Sequence, residues 1–211
     1  MSQYVVVDPF TGCEHRRFPG INDRQLDDLV AQAASAVPVV ARSTSADRSG
    51  LLAKVADLYV ERCRDLAEIS VMEMGKPIAQ AIHEIEFTAS IFRYYATNAD
   101  DLLADEPILV RDGRGEALLR RAPLGVILGV MPWNYPYYQA ARFAAPNVLV
   151  GNSVLLKPAP PMPRVGRGHA AGHARRGRTR WGGVLDNPGL RRAGRLVARE
   201  SRCPGSVSDG I

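Results

Sequence analysis

Cysteine is scarce in this chain and shows no pattern: Cys13, Cys63 and Cys203 are three in 211 residues. An odd number without metal-ligand spacing argues against a disulfide framework or a zinc site and favours reduced thiols in the cytoplasm. Long apolar runs are missing as well. The longest nearly uncharged one, Leu124 to Trp133, is far shorter than the roughly 20 residues of a bilayer span. The opening residues Met1 to Asp8 carry neither a basic segment nor a long apolar core, so no secretory signal is expected. What is present is ordinary for a globular protein, with 46% apolar and 23% charged residues. The length suits one good-sized domain, or one domain with an appendage.

The net charge of +5 and pI near 9.4 suggest nucleic-acid binding until the charge is located. Residues 1–161 hold 13 Arg and 3 Lys against 19 acids, a balance of −3. Residues 162–211 hold 11 Arg and no Lys against 3 acids, a balance of +8, together with 10 of the 19 glycines. The expected organisation is an acidic globular segment, 1–161, and a basic tail, 162–211. The tail has no helical or strand period and a single aromatic, Trp181, apart from a weak amphipathic turn around Leu190, Leu196 and Val197. Such a stretch buries too little surface to offset its ordering entropy, which predicts disorder.

Within the first segment, Tyr4 to Asp8 reads as a strand entering a turn at Pro9-Phe10-Thr11-Gly12. Asn22 and Asp23 offer helix N-caps, and Leu26, Leu29, Val30, Ala33 and Val37 follow at helical spacing until Pro38, where the run is expected to stop. A second helix starts at Ser45 to Asp47, carries an apolar stripe from Leu51 to Ile69, and breaks at Gly75-Lys76-Pro77. A third runs from there to about Leu103. Ile108 to Val110 and Ala117 to Leu119 read as a hairpin around Asp112-Gly113-Arg114-Gly115. Val126 to Val130 has the composition of a fully buried strand, Tyr137 to Val150 that of a helix interrupted by Pro146, and Val154 to Leu156 that of another buried strand. Strand, helix and strand in about thirty residues make a βαβ unit and imply a parallel sheet.

That unit carries the candidate chemistry. The first strand runs into Met131-Pro132-Trp133-Asn134-Tyr135-Pro136, a stiff turn at a strand's carboxyl end, where open α/β sheets place ligands. A rigidly held Asn134 amide can donate to developing negative charge on a carbonyl oxygen. Arg142, eight residues on, can aim a guanidinium at a carboxylate. Lys157, with Pro158, Ala159 and Pro160, closes the next strand and offers a cation to ribose hydroxyls or phosphate. Each residue also has a plain reading: a loop-forming turn, an arginine on a solvated helix face, a lysine at an exposed strand end. It is their convergence on one βαβ unit that favours a site.

The run Gly125-Val126-Ile127-Leu128-Gly129-Val130-Met131-Pro132-Trp133-Asn134-Tyr135-Pro136, followed by Arg142 to Pro146, Gly151-Asn152 and Leu155 to Ala159, resembles the N-terminal cofactor-domain segment of NAD(P)-dependent aldehyde dehydrogenases. Asp8-Pro9, Thr11-Gly12, Glu73 to Pro77 and Phe92 to Ala96 agree with it, the bacterial succinate-semialdehyde dehydrogenase branch being the nearest in appearance. The resemblance covers about residues 5–160. It implies an α/β fold: the N-terminal part of an aldehyde dehydrogenase, with helices, a hairpin segment and an incomplete parallel cofactor-binding sheet.

It further implies that Asn134 is the oxyanion donor for the adduct of a catalytic cysteine with the aldehyde. Met131, Pro132 and Trp133, with Asn134, would line the nicotinamide end of the cofactor. Lys157, with Pro158, Ala159 and Pro160, would meet the adenosine ribose or a 2′-phosphate. Arg142 would hold the carboxylate of a semialdehyde substrate. Pro160 stands where many NAD-preferring relatives have glutamate, which tilts the cofactor from NAD toward NADP. The hairpin region would serve a homo-oligomer or contact with a full-length homologue.

The resemblance also implies a nucleophilic cysteine, a glutamate base and a phosphate turn beyond Lys157, in a protein more than twice this length; none of the three cysteines stands where the nucleophile would. The segment is therefore expected to be inactive alone. Cys63, between Arg62 and Arg64, reads as a helix-surface thiol, the alternative being a thiol of lowered pKa. His169 and His173 have helical ligand spacing but lie among glycines, and no metal is expected. The Arg/Gly-rich tail has two readings: a nucleic-acid-binding segment acting through phosphate charge, or the product of a shifted reading frame in a GC-rich gene. The second is favoured, because the tail begins inside a family motif and loses all hydrophobic periodicity there.

Overall fold

In the computed structural model residues 3–111 and 115–161 are described, so the 162–211 tail, its expected disorder and its histidine pair lie outside the described residues, as do 112–114 of the hairpin turn. Strands β1 (Gln3–Val7) and β2 (Glu14–Pro19) form an antiparallel hairpin with an irregularity between Val6 and Val7. Asp8 closes its turn by accepting from the Phe10 amide at 2.8 Å, and Gly12 supplies the left-handed residue at φ 70°.

Helix α1 (Asp23–Arg42) starts where the sequence places it: the Asn22 side chain accepts from the Gln25 amide and Gln25 returns the bond. It does not stop at Pro38. The proline lies inside the helix on its exposed face, and Ala34, whose carbonyl loses its partner there, is exposed as well. Water can replace the missing bond, so the helix continues to Arg42. Helix α2 (Ser45–Glu61) opens with a Thr44–Asp47 capping box. The stripe expected as one helix is two, because α3 (Cys63–Met74) begins after a break at Arg62, at φ −107° and ψ 20°. Gly75 ends α3 in the left-handed region, and α4 (Ile78–Thr97) starts directly after Pro77. A further short helix, α5 (Ala99–Leu103), is set off from α4 at Asn98.

Helices α2 to α5 share one core. Tyr59 of α2 stacks on Phe92 of α4 at 5.6 Å, and Leu52, Val55, Leu66, Ile85 and Ala89 are buried around them. The second hairpin pairs β3 (Glu106–Ile108) with β4 (Ala117–Leu119), so its first strand lies two residues earlier than the apolar run suggests. Arg120 pairs with Asp105 and Arg121 with Glu106 across the two strand ends, contacts compatible with that register.

The βαβ unit is present as β5 (Val126–Val130), α6 (Pro136–Val150) and β6 (Ser153–Lys157), with β5 and β6 parallel. Pro146 sits within α6 without ending it, and Gly151 at φ 110° does so. The two strands separate two helical layers. Val126, Leu128 and the fully buried Leu155 pack on Leu26, Val30 and Ala33 of α1. On the other face Val154 joins the core of Ala141, Ala145, Val148 and Leu149 from α6, and Gly129 lets the Phe143 ring approach. Burying one such leucine contributes about 2 kcal/mol. β6 is buried along most of its length, whereas β5 is half-buried, contrary to the fully buried strand expected of it, because α1 and α6 both pack more on β6 than on β5.

Candidate functional site

Parallel pairing fixes where the candidate residues meet. Val130 lies opposite Lys157 in the β5–β6 register, so both strands end at the same edge. The chain then turns over that edge: the Met131 amide donates to the Lys157 carbonyl at 3.0 Å. Met131 and Lys157, remote in sequence, are thereby adjacent at the carboxyl edge where an α/β sheet places its crevice. Lys157, Pro158 and Ala159 are buried and Pro160 is exposed. The Lys157 ammonium donates to the Pro158 carbonyl at 3.1 Å.

Pro132, Trp133 and Asn134 are exposed in the turn, with Met131 half-buried beneath them. Asn134 makes one polar contact among the described residues, its main-chain carbonyl accepting from the Lys76 ammonium at 3.0 Å; its side-chain amide stays open to a ligand. Arg142 is exposed on α6, its guanidinium 5.9 Å from the Tyr138 ring, and Tyr138 in turn meets Tyr135 edge-on at 6.3 Å. An aromatic ladder therefore joins the turn to Arg142, although no direct contact joins Arg142 to Asn134.

Two groups that the sequence reading did not single out hold this arrangement. Lys76, from the Gly75-Lys76-Pro77 break, pairs with Glu84 of α4, and their side chains are only 5% and 1% exposed. The other oxygen of Glu84 accepts from the Tyr137 and Tyr138 amides at 2.9 and 3.2 Å, so a carboxylate from another helix caps α6. Its charge, after burial and the neighbouring Tyr137, helps push the Tyr59 phenol well above its ordinary value. A signal existed in the sequence: Glu84 lies in the buried stripe Ala81, Ile85, Thr88 of α4, where an acid requires a partner. Below the unit, Asn152 accepts from the Leu124 and Gly125 amides at 2.6 and 3.0 Å and donates to Asn147 at 3.0 Å, joining the start of β5 to the end of α6.

Neither described cysteine belongs to β5, the turn or β6. Cys13 is exposed after the β1 turn. Cys63 is half-buried with its thiol toward the Ile82 carbonyl, and burial, with the charge of Glu86, raises its pKa, opposite in direction to the lowering that Arg62 and Arg64 suggest in the sequence. Cys203 lies outside the described residues. Among the described residues, no helix is long and apolar enough to cross a membrane.

The sequence model of the Aldehyde dehydrogenase family matches residues 1–170. A succinate-semialdehyde dehydrogenase (NADP+) of Deinococcus radiodurans is 39% identical over 154 residues, covering 73% of this chain and 32% of the relative. A succinate-semialdehyde dehydrogenase (NADP+) 1 of Mycobacterium tuberculosis is 40% identical over 161 residues, covering 76% and 35%. The chain spans about a third of the length of these curated relatives. Among solved structures, succinic semialdehyde dehydrogenase from Streptococcus pyogenes in complex with NADP+ superposes with a TM-score of 0.81 at 28% identity, over 92% of this chain and 43% of that one. NADP-dependent glyceraldehyde-3-phosphate dehydrogenase from Bacillus halodurans, complexed with NADP, gives 0.78 at 27% identity, over 95% and 43%.

Proposed function

We propose, from the premise that this chain belongs to the aldehyde dehydrogenase family, that residues 1–161 are the part of an NADP-linked semialdehyde dehydrogenase that binds and orients its reactants. The observation that carries this is the Met131 amide bond to the Lys157 carbonyl, which unites the Asn134 turn and the lysine-bearing strand at one edge. The donor set suits a 2′-phosphorylated dinucleotide: Lys157 brings a cation, and residues 158–161 are Pro, Ala, Pro and Pro, with no carboxylate to repel phosphate. When bound, that cofactor accepts the hydride released on oxidation of the aldehyde.

The chain's own residues do the rest of the work assigned here. Lys157 and the Pro158–Pro160 run hold the ribose end, while Met131, Pro132 and Trp133 wall the nicotinamide end and keep water from it. The Asn134 side-chain amide donates to the aldehyde oxygen as that oxygen gains charge. Arg142 takes the distal carboxylate of the substrate through its guanidinium fork, which selects succinate semialdehyde over aldehydes without a second carboxylate. The names of the curated relatives support this substrate and cofactor. The nucleophile and the general base come from sequence that residues 1–161 do not supply, so the chain alone does not turn over.

A fusion tests the reading: residues 1–161 joined to the remaining two-thirds of the Deinococcus radiodurans relative, assayed for NADPH formation. The fusion should oxidise succinate semialdehyde, and Asn134→Ala should lower its kcat by about 100-fold or more. Arg142→Leu should raise KM for that substrate and leave an uncarboxylated aldehyde unaffected. A fusion that binds NADP+ but oxidises both aldehydes alike, indifferent to Arg142→Leu, overturns the substrate assignment. NADPH formation by the 211-residue chain alone overturns its inactivity.

A second reading draws on the hairpin. Ile108, Leu109, Leu118 and Leu119 are exposed at 52, 92, 56 and 47%, an apolar surface suited to a contact with a second copy or a full-length homologue. Co-purification with such an enzyme, lost on Leu109→Asp, would support a non-catalytic interaction subunit. Nucleic-acid binding through the tail requires salt-sensitive RNA association that disappears on deleting 162–211.

A further inference from the structure

We propose that Lys76 and Glu84 are positioning residues: one buried ion pair fixes the main chain of Asn134 and the first turn of α6, and so sets where the Asn134 side-chain amide projects. The inference rests on the reading that Asn134 donates to the substrate oxygen.

The argument begins with what Asn134 lacks. Its side chain is exposed and makes no hydrogen bond among the described residues, and its main-chain amide makes none either. The flanking Pro132 and Pro136 limit the backbone but contribute no donor to anchor it. The carbonyl contact to Lys76 is therefore the polar contact that sets the orientation of the residue. An oxyanion donor is effective only when its direction is fixed before charge develops, so whatever holds this peptide bears on catalysis.

Lys76 is suited to that task. An ammonium has three donors on a flexible stem, and here the surroundings remove the flexibility. One side of the ammonium meets Glu84, a second meets the Asn134 carbonyl, and the Tyr135 ring lies 4.0 Å from it. Gly75, just before it, is packed so closely that an added Cβ would come within 2.9 Å of the Pro9 ring, which fixes where the lysine leaves α3.

Glu84 divides its two oxygens between two duties. Oε2 pairs with Lys76, while Oε1 accepts from the Tyr137 and Tyr138 amides, two of the donors that a helix start leaves without intrahelical partners. Tyr135, the residue before the helix, provides no side-chain cap. The turn is thus clamped on both sides of Pro136, by Lys76 before it and by Glu84 after it. A buried ion pair is a poor means of adding stability, since apolar residues of similar volume often do as well. What apolar residues cannot do is hold a particular carbonyl and two particular amides in fixed directions.

The test uses the whole chain in a Trp181→Phe background, leaving Trp133, next to Asn134, as the sole tryptophan, excited at wavelengths where tyrosine does not absorb, with amide exchange read on the same samples. Glu84→Gln keeps an acceptor for the two amides but loses the charge. The neutral double variant Lys76→Met/Glu84→Gln avoids stranding a buried charge and is expected to stay folded. Both should raise acrylamide quenching of Trp133 by about twofold or more, while the amides of Leu128 and Leu155 keep their exchange rates. In Glu84→Gln the Tyr137 and Tyr138 amides should stay protected, and in Glu84→Ala they should exchange about tenfold faster than in the parent. Unchanged Trp133 quenching overturns the proposal. Equal acceleration of every amide also overturns it, because the pair would then serve general stability alone.

In the fused enzyme, Lys76→Met/Glu84→Gln should lower kcat with little change in KM. An inactive parent fusion counts against the reading of Asn134, and the quenching data then decide the positioning role. An active parent whose variant keeps its kcat counts against the present inference alone.

Discussion

Replacing Asn152 by alanine tests the βαβ unit at the end opposite the candidate site. The residue is buried, at 4% exposure, and its side chain links three places: the Leu124 amide, the Gly125 amide and the Asn147 side chain. Leu124 is 85% exposed, so its amide regains a water partner and its loss costs least. The Gly125 and Asn147 groups are partly buried and recover less. At about 1 kcal/mol for each of these and about half that for Leu124, the variant should lose about 2.5 kcal/mol. With a urea slope of about 2 kcal/mol/M, the unfolding midpoint should fall by about 1.2 M, read by far-UV circular dichroism of the full chain. Asn152→Asp keeps an acceptor for both backbone amides but loses the donor to Asn147, so its midpoint should lie between those of the parent and the alanine variant. A shift below about 0.4 M for alanine, or an aspartate variant no better than alanine, would refute this account of how the start of β5 is held.

Three other outcomes follow from the helices and their ends. Pro38→Ala should stabilise the chain by about 1 kcal/mol or more, raising its melting temperature, because it restores a hydrogen bond in the exposed interior of α1; a lower melting temperature would contradict this. Gly75→Ala should cost about 2 kcal/mol, since the residue is left-handed at φ 70° and the new Cβ would meet Pro9 at 2.9 Å; an unchanged urea midpoint would show that the Pro9 turn yields. The hydrogen bonds of Asp47 to Thr44, side chain first and then main chain, hold its carboxyl below the ordinary carboxylate range. Its contribution is complete above its unfolded-state value of about 4 and disappears as pH falls through the lower folded value. Asp47→Ala should therefore flatten the loss of stability in that acid window, and identical pH profiles for parent and variant would exclude the capping role.

Much of the architecture is legible in local patterns. The capping boxes at Asn22 and Thr44, the left-handed glycines at 75 and 151 and the βαβ rhythm from Val126 to Lys157 rest on interactions within a few residues, which a sequence displays directly. The misplaced boundaries have tertiary causes. Pro38 stays helical on an exposed face, where the carbonyl it deprives is open to solvent, and the first strand of the second hairpin lies where Arg120 and Arg121 pair with Asp105 and Glu106.

The candidate site divides along the same line. By itself the sequence determined the chemical types: an amide in a proline-flanked turn, an arginine eight residues on, and a lysine at a strand end. Only the tertiary structure brought Met131 against Lys157 and placed the Lys76–Glu84 pair beneath Asn134, across 58 residues of chain from Lys76 to the carbonyl it holds. Residue identity sets what a group can donate or accept. Its direction depends on partners from other elements, which meet only once the sheet and its helical layers have packed.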